Sequence, residues 1–422
     1  MTIKKSKAKG RLLTNTAMLF VLTFSNYLFN VISIPYQTRI LGPEVYGNVS
    51  FAMTVMNYFQ LFLDFGFLLS ATEEVSKNRD DSKKVSEIFT SVMWCKLLLV
   101  GVSFAVLTVV CITVPRFADW KLFFIFLFSY SLYCFLPDFL YRGLEKMTAI
   151  TVRSVLIKAF SSLMIFFLLK DKSQYYIVPI LTGIGNLGAV IGVLVHVRSL
   201  GYRFVKVTPA QVFSSFRQSG FFFFSRIASA VFTSTNTFIL GMFYGEGSAL
   251  VGQYSTAEKG ITVAKMAITP VTDSLYPYMI KNRDFKLVKK LMLICMPVLF
   301  VGCTVVMIIA NPLCAFVFGE QYYDAGNYLR LLAPVVFFAF PGTMFGFPVL
   351  TPMGLAKYAN ISTIAAAVLQ IVQFVVIYFA IGTSDSIKFA TAICVATCIS
   401  ELFTCLFRVA VFIKNRHKLK EA

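Results

Sequence analysis

Charge is scarce in this 422-residue chain: 14% of its residues are Asp, Glu, Lys or Arg, against 57% that are hydrophobic. Soluble domains carry roughly a quarter charged residues, so the composition excludes an ordinary water-exposed surface. Histidine occurs twice, as His196 and His417, with no partner at ligand spacing. The nine cysteines are odd in number, lie almost entirely inside apolar stretches and show no CxxC spacing. These features argue against a zinc site and against a disulfide framework. No Walker A sequence is present, so ATP bound to this chain is not the expected energy source. No connecting segment exceeds about 25 residues, which leaves no room for a soluble catalytic domain.

What fills the chain instead is hydrocarbon. A bilayer core about 30 Å thick takes roughly 20 apolar residues of helix. Twelve stretches qualify, near 13-34, 45-70, 88-112, 120-140, 148-169, 175-197, 219-243, 250-279, 289-316, 327-350, 356-381 and 387-413. The expected fold is an all-α polytopic membrane protein. Basic residues fix its orientation, because Lys and Arg gather in short cytoplasmic loops. Counting residues at the approximate span ends with the adjoining loop, 25 of the 39 lie in the tails and in the loops after even-numbered spans. Seven lie in the other loops and seven within spans. Both termini are therefore predicted to be cytoplasmic. This asymmetry accounts for the net charge of +19, which is no sign of nucleic-acid binding. The first span has the basic front of a signal peptide, but Asn15, Asn26 and Asn30 interrupt it and no small-residue cleavage site follows. It is expected to be a retained helix.

The two halves echo each other. Gly47-Asn48-Val49-Ser50-Phe51-Ala52 matches Gly252-Gln253-Tyr254-Ser255-Thr256-Ala257, and Asn78-Arg79-Asp80 matches Asn282-Arg283-Asp284. Gly143-Leu144-Glu145-Lys146 matches Gly354-Leu355-Ala356-Lys357. Six spans separate the copies, so the repeat is parallel, about an axis along the membrane normal. The expected domains are an N-terminal six-helix bundle, 1–197, a cytoplasmic linker, 198–218, and a C-terminal six-helix bundle, 219–422. Gly183, Gly185 and Gly188 mimic a dinucleotide motif but lie inside a span with no strand before them. With Gly188 and Gly192 spaced as GxxxG, close helix packing is the expectation.

Polar stripes mark cavity-facing sides, since such groups are costly against lipid. The first span aligns Asn15, Thr23, Asn26, Asn30, Ser33 and Gln37, and the second Ser50, Asn57, Gln60 and Asp64. The seventh aligns Arg226, Ser229, Thr233, Asn236 and Thr237, and the eighth Glu258, Lys259, Lys265 and Asp273. In the last span Thr397, Glu401, Thr404 and Arg408 share a face. Lys96, Arg153 and Arg408 lie near span ends, where they are expected to snorkel or pair. Lys158, Arg226, Lys259 and Lys265 lie deeper and are expected to face a wet cavity. With Asn26, Asn30, Asn57, Gln60 and Asn236 they suit an anionic, hydroxyl-rich substrate, because cations neutralise phosphate and amides hydrogen-bond sugars. Asp64, Glu258 and Asp273 are the ion-coupling candidates; static pairing with Lys259 or Lys265 is the alternative.

Ile40-Leu41-Gly42-Pro43-Glu44-Val45-Tyr46-Gly47 and Pro137-Asp138-Phe139-Leu140-Tyr141-Arg142-Gly143-Leu144-Glu145-Lys146-Met147 resemble segments of Wzx-type polysaccharide flippases of the multidrug/oligosaccharidyl-lipid/polysaccharide (MOP) exporter superfamily. Relatives often carry Trp and Gln at the second segment, where this chain has Asp138 and Arg142. The resemblance implies two bundles in a V around a central cavity. It also implies alternating-access transfer of undecaprenyl-pyrophosphate-linked oligosaccharide repeat units to the outer leaflet of a bacterial inner membrane. The implied partners are the lipid-linked oligosaccharide, membrane lipid, a polysaccharide polymerase and a chain-length regulator. A proton or sodium ion is the implied coupling ion, and no cofactor is implied. An ion-coupled drug or metabolite antiporter of the same superfamily remains open, as does a polytopic membrane enzyme of the polysaccharide pathway. A major facilitator is disfavoured, because Glu73 to Lys84 lacks that class's Gly-rich Asp-Arg signature.

Overall fold

A backbone in hydrocarbon has to satisfy its own N–H and C=O groups, so apolar runs of this length fold as helices. The computed structural model describes residues 2–245 and 248–416; within these, the side chains of 2–17, 19, 20, 26, 27, 30, 221, 224–234 and 277 lie outside the description. The helices are α1 (Thr2–Asp64), α2 (Phe67–Lys77), α3 (Ser82–Thr113), α4 (Trp120–Cys134), α5 (Asp138–Gly143), α6 (Met147–Leu168), α7 (Ile177–Ser199) and α8 (Pro209–Phe243). They continue as α9 (Ala249–Met266), α10 (Thr269–Asn282), α11 (Phe285–Phe318), α12 (Ala325–Met344), α13 (Phe347–Leu350), α14 (Ala356–Ile381) and α15 (Ser386–Lys414). Among the described residues, nine helices are long and apolar enough to cross a membrane. The chain is a multi-pass membrane protein.

The predicted loop between the first two spans is helical. α1 runs through it, broken only at Gly42, whose φ of 73° is left-handed and which precedes Pro43. Glycine meets that conformation without a Cβ penalty, and Pro43 suits the first turn of the helix that resumes. The chain packs as two units: Met1–Ile40 with Phe51–Ala230, and Leu41–Ser50 with Val231–Ala422. In the second, Gly252 lies so close to the Pro43 carbonyl that no side chain fits, and a Cβ on Gly47 would stand 2.9 Å from the Gly252 nitrogen. The paired glycines of the sequence repeat therefore pack on each other.

The repeat extends to the defects. In unit 1 the second span breaks at Phe65-Gly66 and the fourth at Phe135-Leu136-Pro137; in unit 2 the corresponding breaks are Ala267-Ile268 and Phe345-Gly346. After the second span, the Asp81 carboxylate accepts from the Lys83 and Lys84 amides to start α3, and Asp284 accepts from Leu287 to start α11. After the fourth, the Lys146 amide closes on the Tyr141 carbonyl and the Leu355 amide on the Leu350 carbonyl, both at 2.8 Å. The left-handed residues at these corners are Glu145 and Gly354. Matching the Gly-Leu pairs thus sets the sequence alignment here two residues away from the structural one, because only the second corner places its glycine where φ is positive.

Breaks free carbonyls from their helical partners, and Lys96 and Arg408 satisfy some of them. Lys96 donates to the carbonyls of Cys134 and Leu136, and Arg153 pairs with Asp138 at 2.7 Å. Arg408 donates to the Gly342 carbonyl at 2.8 Å and to Ser362 Oγ at 2.7 Å. Lys96 and Arg153 are buried, so neither snorkels; Arg153 is ion-paired, the other expected outcome, while Lys96 is held by carbonyls. The expected packing at Gly188 and Gly192 is corrected as well, because a Cβ on either would meet nothing within 4 Å. Gly185 does pack closely, against Ile157.

Candidate functional site

Each unit holds a polar cavity. In unit 2, Glu258 and Lys265 stand two turns apart on one face of α9, and α8, α14 and α15 bring polar side chains to them. The Glu258 carboxylate accepts from Thr237 Oγ1 at 2.6 Å and from Asn236 Nδ2 at 3.2 Å. Asn236 also donates to Thr397 Oγ1 at 3.1 Å, and its Oδ1 accepts from Gln370 Nε2 at 2.8 Å. Among the described residues the hydrogen bonds to Glu258 come from neutral donors, with the charges of Lys259 and Lys265 farther off. Lys265 instead pairs with Glu401 of α15 at 2.8 Å. Of these, Asn236, Glu258, Lys265, Thr397 and Glu401 line a cavity of about 320 Å³ whose remaining wall includes Thr262, Thr272, Leu332 and Val335.

Lys259 does not line this cavity. Its ammonium donates to Tyr46 Oη at 2.6 Å and Ser50 Oγ at 3.2 Å, and lies 4.3 Å from the centre of the Tyr46 ring. A cation on an aromatic face with two hydroxyl acceptors is neutralised locally. It anchors the Leu41–Ser50 segment within unit 2. Asp273, on α10, is exposed and lines none of the cavities described here.

In unit 1, a cavity of about 460 Å³ is lined by Lys158, Arg142, Gln60, Gln37, Tyr133 and Asn186, with hydroxyls from Ser33, Ser154 and Ser161. Lys158 is half-buried and has no hydrogen-bond partner among the described residues. Arg142 adds a second cation, its Nε buried and without a partner among the described residues. Asp64 accepts from Gln60 Nε2 at 3.0 Å and lines a smaller recess of about 50 Å³ with Lys96 and Asp138. Asn57 is exposed and lines none of these cavities. The side chains of Arg226, Asn26 and Asn30 lie outside the described residues, as do those of Asn15, Ser229 and Thr233.

The structure thus brings Asn236, Glu258 and Lys265 together in one unit, and Lys158 and Gln60 in the other. Sequence reading placed Thr237, Thr397 and Glu401 on polar faces without assigning them a role, and it passed over Gln370. The signal for Gln370 was a pair of amides, Gln370 and Gln373, in an apolar run. Arg142 was legible only as a departure from the resemblance.

The two cavities set cations, carboxylates, amides and hydroxyls inside apolar bundles. The family model described as "Polysaccharide biosynthesis protein" matches residues 12–283. A protein of Escherichia coli (strain K12) named "Putative O-antigen transporter" is 27% identical over 368 residues, covering 85% of this chain and 88% of its own. One of the same name from Shigella dysenteriae is 24% identical over 324 residues, covering 75% and 80%. Among solved structures, the lipid II flippase MurJ in an inward closed conformation superposes with a TM-score of 0.71 at 10% identity, over 96% of this chain and 89% of that one. An inward-facing multidrug resistance MATE family transporter of the MOP superfamily gives 0.67 at 15% identity, over 93% and 94%. At these identities the solved structures establish the shared helical fold. The family match covers well over half the sequence: the chain belongs to the polysaccharide biosynthesis protein family.

Proposed function

We propose that the chain is a flippase that carries undecaprenyl-pyrophosphate-linked oligosaccharide repeat units from the cytoplasmic to the outer leaflet of the bacterial inner membrane. The observation that carries this reading is the Lys158 cavity: an ammonium with no hydrogen-bond partner among the described residues, in a lining shared with Arg142, Asp138, hydroxyls and amides, inside an apolar bundle. A cation in that setting is costly unless an anion visits it. The names of the two relatives point the same way. The protein moves its substrate and does not transform it, and the two six-helix bundles, residues 1–197 and 219–422, supply alternating access.

In this reading Lys158, Arg142, Lys265 and Arg226 receive pyrophosphate or an acidic sugar, and Asn26, Asn30, Gln60 and Asn236 exchange hydrogen bonds with sugar hydroxyls. Lys259 acts as an anchor. Glu258 is the best placed of the coupling carboxylates, since a carboxyl held by neutral donors is able to exchange a proton or sodium ion as its surroundings change. Both termini are cytoplasmic, and a polysaccharide polymerase and chain-length regulator act downstream.

The test is complementation in a strain lacking this gene. Lys158→Met and Lys265→Met should each cut surface polysaccharide severely at normal membrane protein level, with lipid-linked repeat units accumulating. Full complementation by both variants would remove the electrostatic basis of the proposal.

A further inference from the structure

On a different face of α6 from Lys158 lies a groove of about 510 Å³ between α6 and α7. Its floor is Gly185, Gly188 and Gly192, and its walls include Val152, Leu156 and Phe160. These three wall residues are all exposed, so the groove opens outward. One end is polar. Arg153, whose side chain is 8% exposed, lines it with the guanidinium held to Asp138 through Nη2; among the described residues its Nε and Nη1 are buried without partners. His196 lines the same end, with Nδ1 sharing a 2.9 Å hydrogen bond with Tyr141 Oη. Buried unmet donors are rare because they cost free energy, so they point to an absent acceptor.

We propose that this groove seats the polyprenyl chain of the lipid carrier, with its phosphate at Arg153 and His196; the identification of the carrier rests on the flippase reading above. Three features select that ligand. A guanidinium and an imidazole complement a phosphate, and the apolar walls complement a hydrocarbon chain. Tyr141, Arg153 and His196 are the polar side chains of the lining, and apolar wall begins directly beyond them. A phosphate bonded straight to hydrocarbon fits that sequence of surfaces. A phospholipid would have to bury its glycerol esters against Val152 and Leu156. Glycine floors the groove because any side chain at 188 or 192 would occupy it, and both positions face open space.

The groove has a direction. Arg153 is in the second turn of α6 and His196 in the last turn of α7, both on the side bearing Lys146 and Arg198. The basic-residue asymmetry makes that side cytoplasmic. From Arg153 to Phe160 the walls run inward for about 10 Å, at 1.5 Å per residue. The groove therefore collects the carrier from the cytoplasmic leaflet, before its headgroup enters a cavity, and explains the glycine motif that close helix packing does not.

The test uses the full chain in nanodiscs with a diazirine-bearing polyprenyl phosphate. Photolysis should label peptides within residues 147–199. Excess phosphatidylglycerol should not displace the label. Gly188→Leu and Gly192→Leu, which fill the groove, should lower labelling roughly tenfold by displacing about two methylenes of the chain, with an unchanged thermal midpoint. His196→Gln should lower it a few-fold. Equal labelling of wild type and both leucine variants would overturn the proposal. So would displacement by phosphatidylglycerol on the wild type, an arm that needs no variant and would make the groove a site for bulk phospholipid. Export is scored separately: a wild type that restores export yet takes no label in the groove sinks the groove and leaves the flippase reading standing. Groove labelling by a wild type that fails to restore export supports the groove and counts against that reading.

Discussion

Two lysines of α9 show what a membrane interior demands of a cation. Lys259 is met by Tyr46 and Ser50, and Lys265 by Glu401. The second pair is unequal: Glu401 is 9% exposed and Lys265 34%. Lys265→Ala leaves a mostly buried carboxylate without its partner and should cost roughly 1–3 kcal/mol, below the fully buried case because water reaches the lysine. Lys265→Ala with Glu401→Ala should recover most of that loss, read as thermal unfolding of the purified protein. Additive losses would mean the pair is not coupled. Glu258→Gln should keep the hydrogen bond from Thr237 and abolish any pH dependence of transport. An unchanged pH profile would remove Glu258 from coupling. Depth in a span was enough to single out Lys265 and Glu258 from sequence. Their partners were not legible, since Glu401 is 136 residues from Lys265 and only packing of α9 against α15 brings them together.

At the scale of elements, breaks are the informative features. The fourth and tenth spans carry prolines at theirs, Pro137 and Pro341 with Pro348, whereas the break at Phe65-Gly66 has a glycine and no proline, and the spans read from sequence run straight through all three. The first connection erred the other way: a predicted loop proved to be helix bent at one residue, because Gly42 supplies the turn alone. Helix existence follows from local apolar patterning, while boundaries depend on which distant groups satisfy the freed carbonyls. Glycines divide on the same ground. Gly252→Val would press against the Pro43 backbone, so it should cost about 3 kcal/mol or prevent folding. Gly188→Leu should stay within about 0.5 kcal/mol of wild type. Size-exclusion profiles and thermal midpoints compare the two directly. Equal behaviour would contradict the packing described for both positions.

For the whole molecule, fold class and internal repeat were legible from hydropathy and three short matches, because both are written in local sequence. The cavities were legible only as faces, since a cavity is closed by several helices. Under the proposed function the unit 1 cavity, with Lys158 and Arg142 against Asp138, receives the anion, the unit 2 cavity sets Lys265 against Glu258 and Glu401, and the apolar remainder keeps the carrier's hydrocarbon in the bilayer. A drug antiporter would instead be expected to hold an acidic cavity in place of the one with Lys158 and Arg142. The account is tested most directly in proteoliposomes holding the purified chain and a fluorescent polyprenyl-pyrophosphate-linked oligosaccharide. A membrane-impermeant reductant would then report how much of the lipid reaches the outer leaflet. The prediction is transfer that depends on protein, is abolished by Lys158→Met and is absent for a cationic dye; equal transfer by wild type, Lys158→Met and empty liposomes would contradict it.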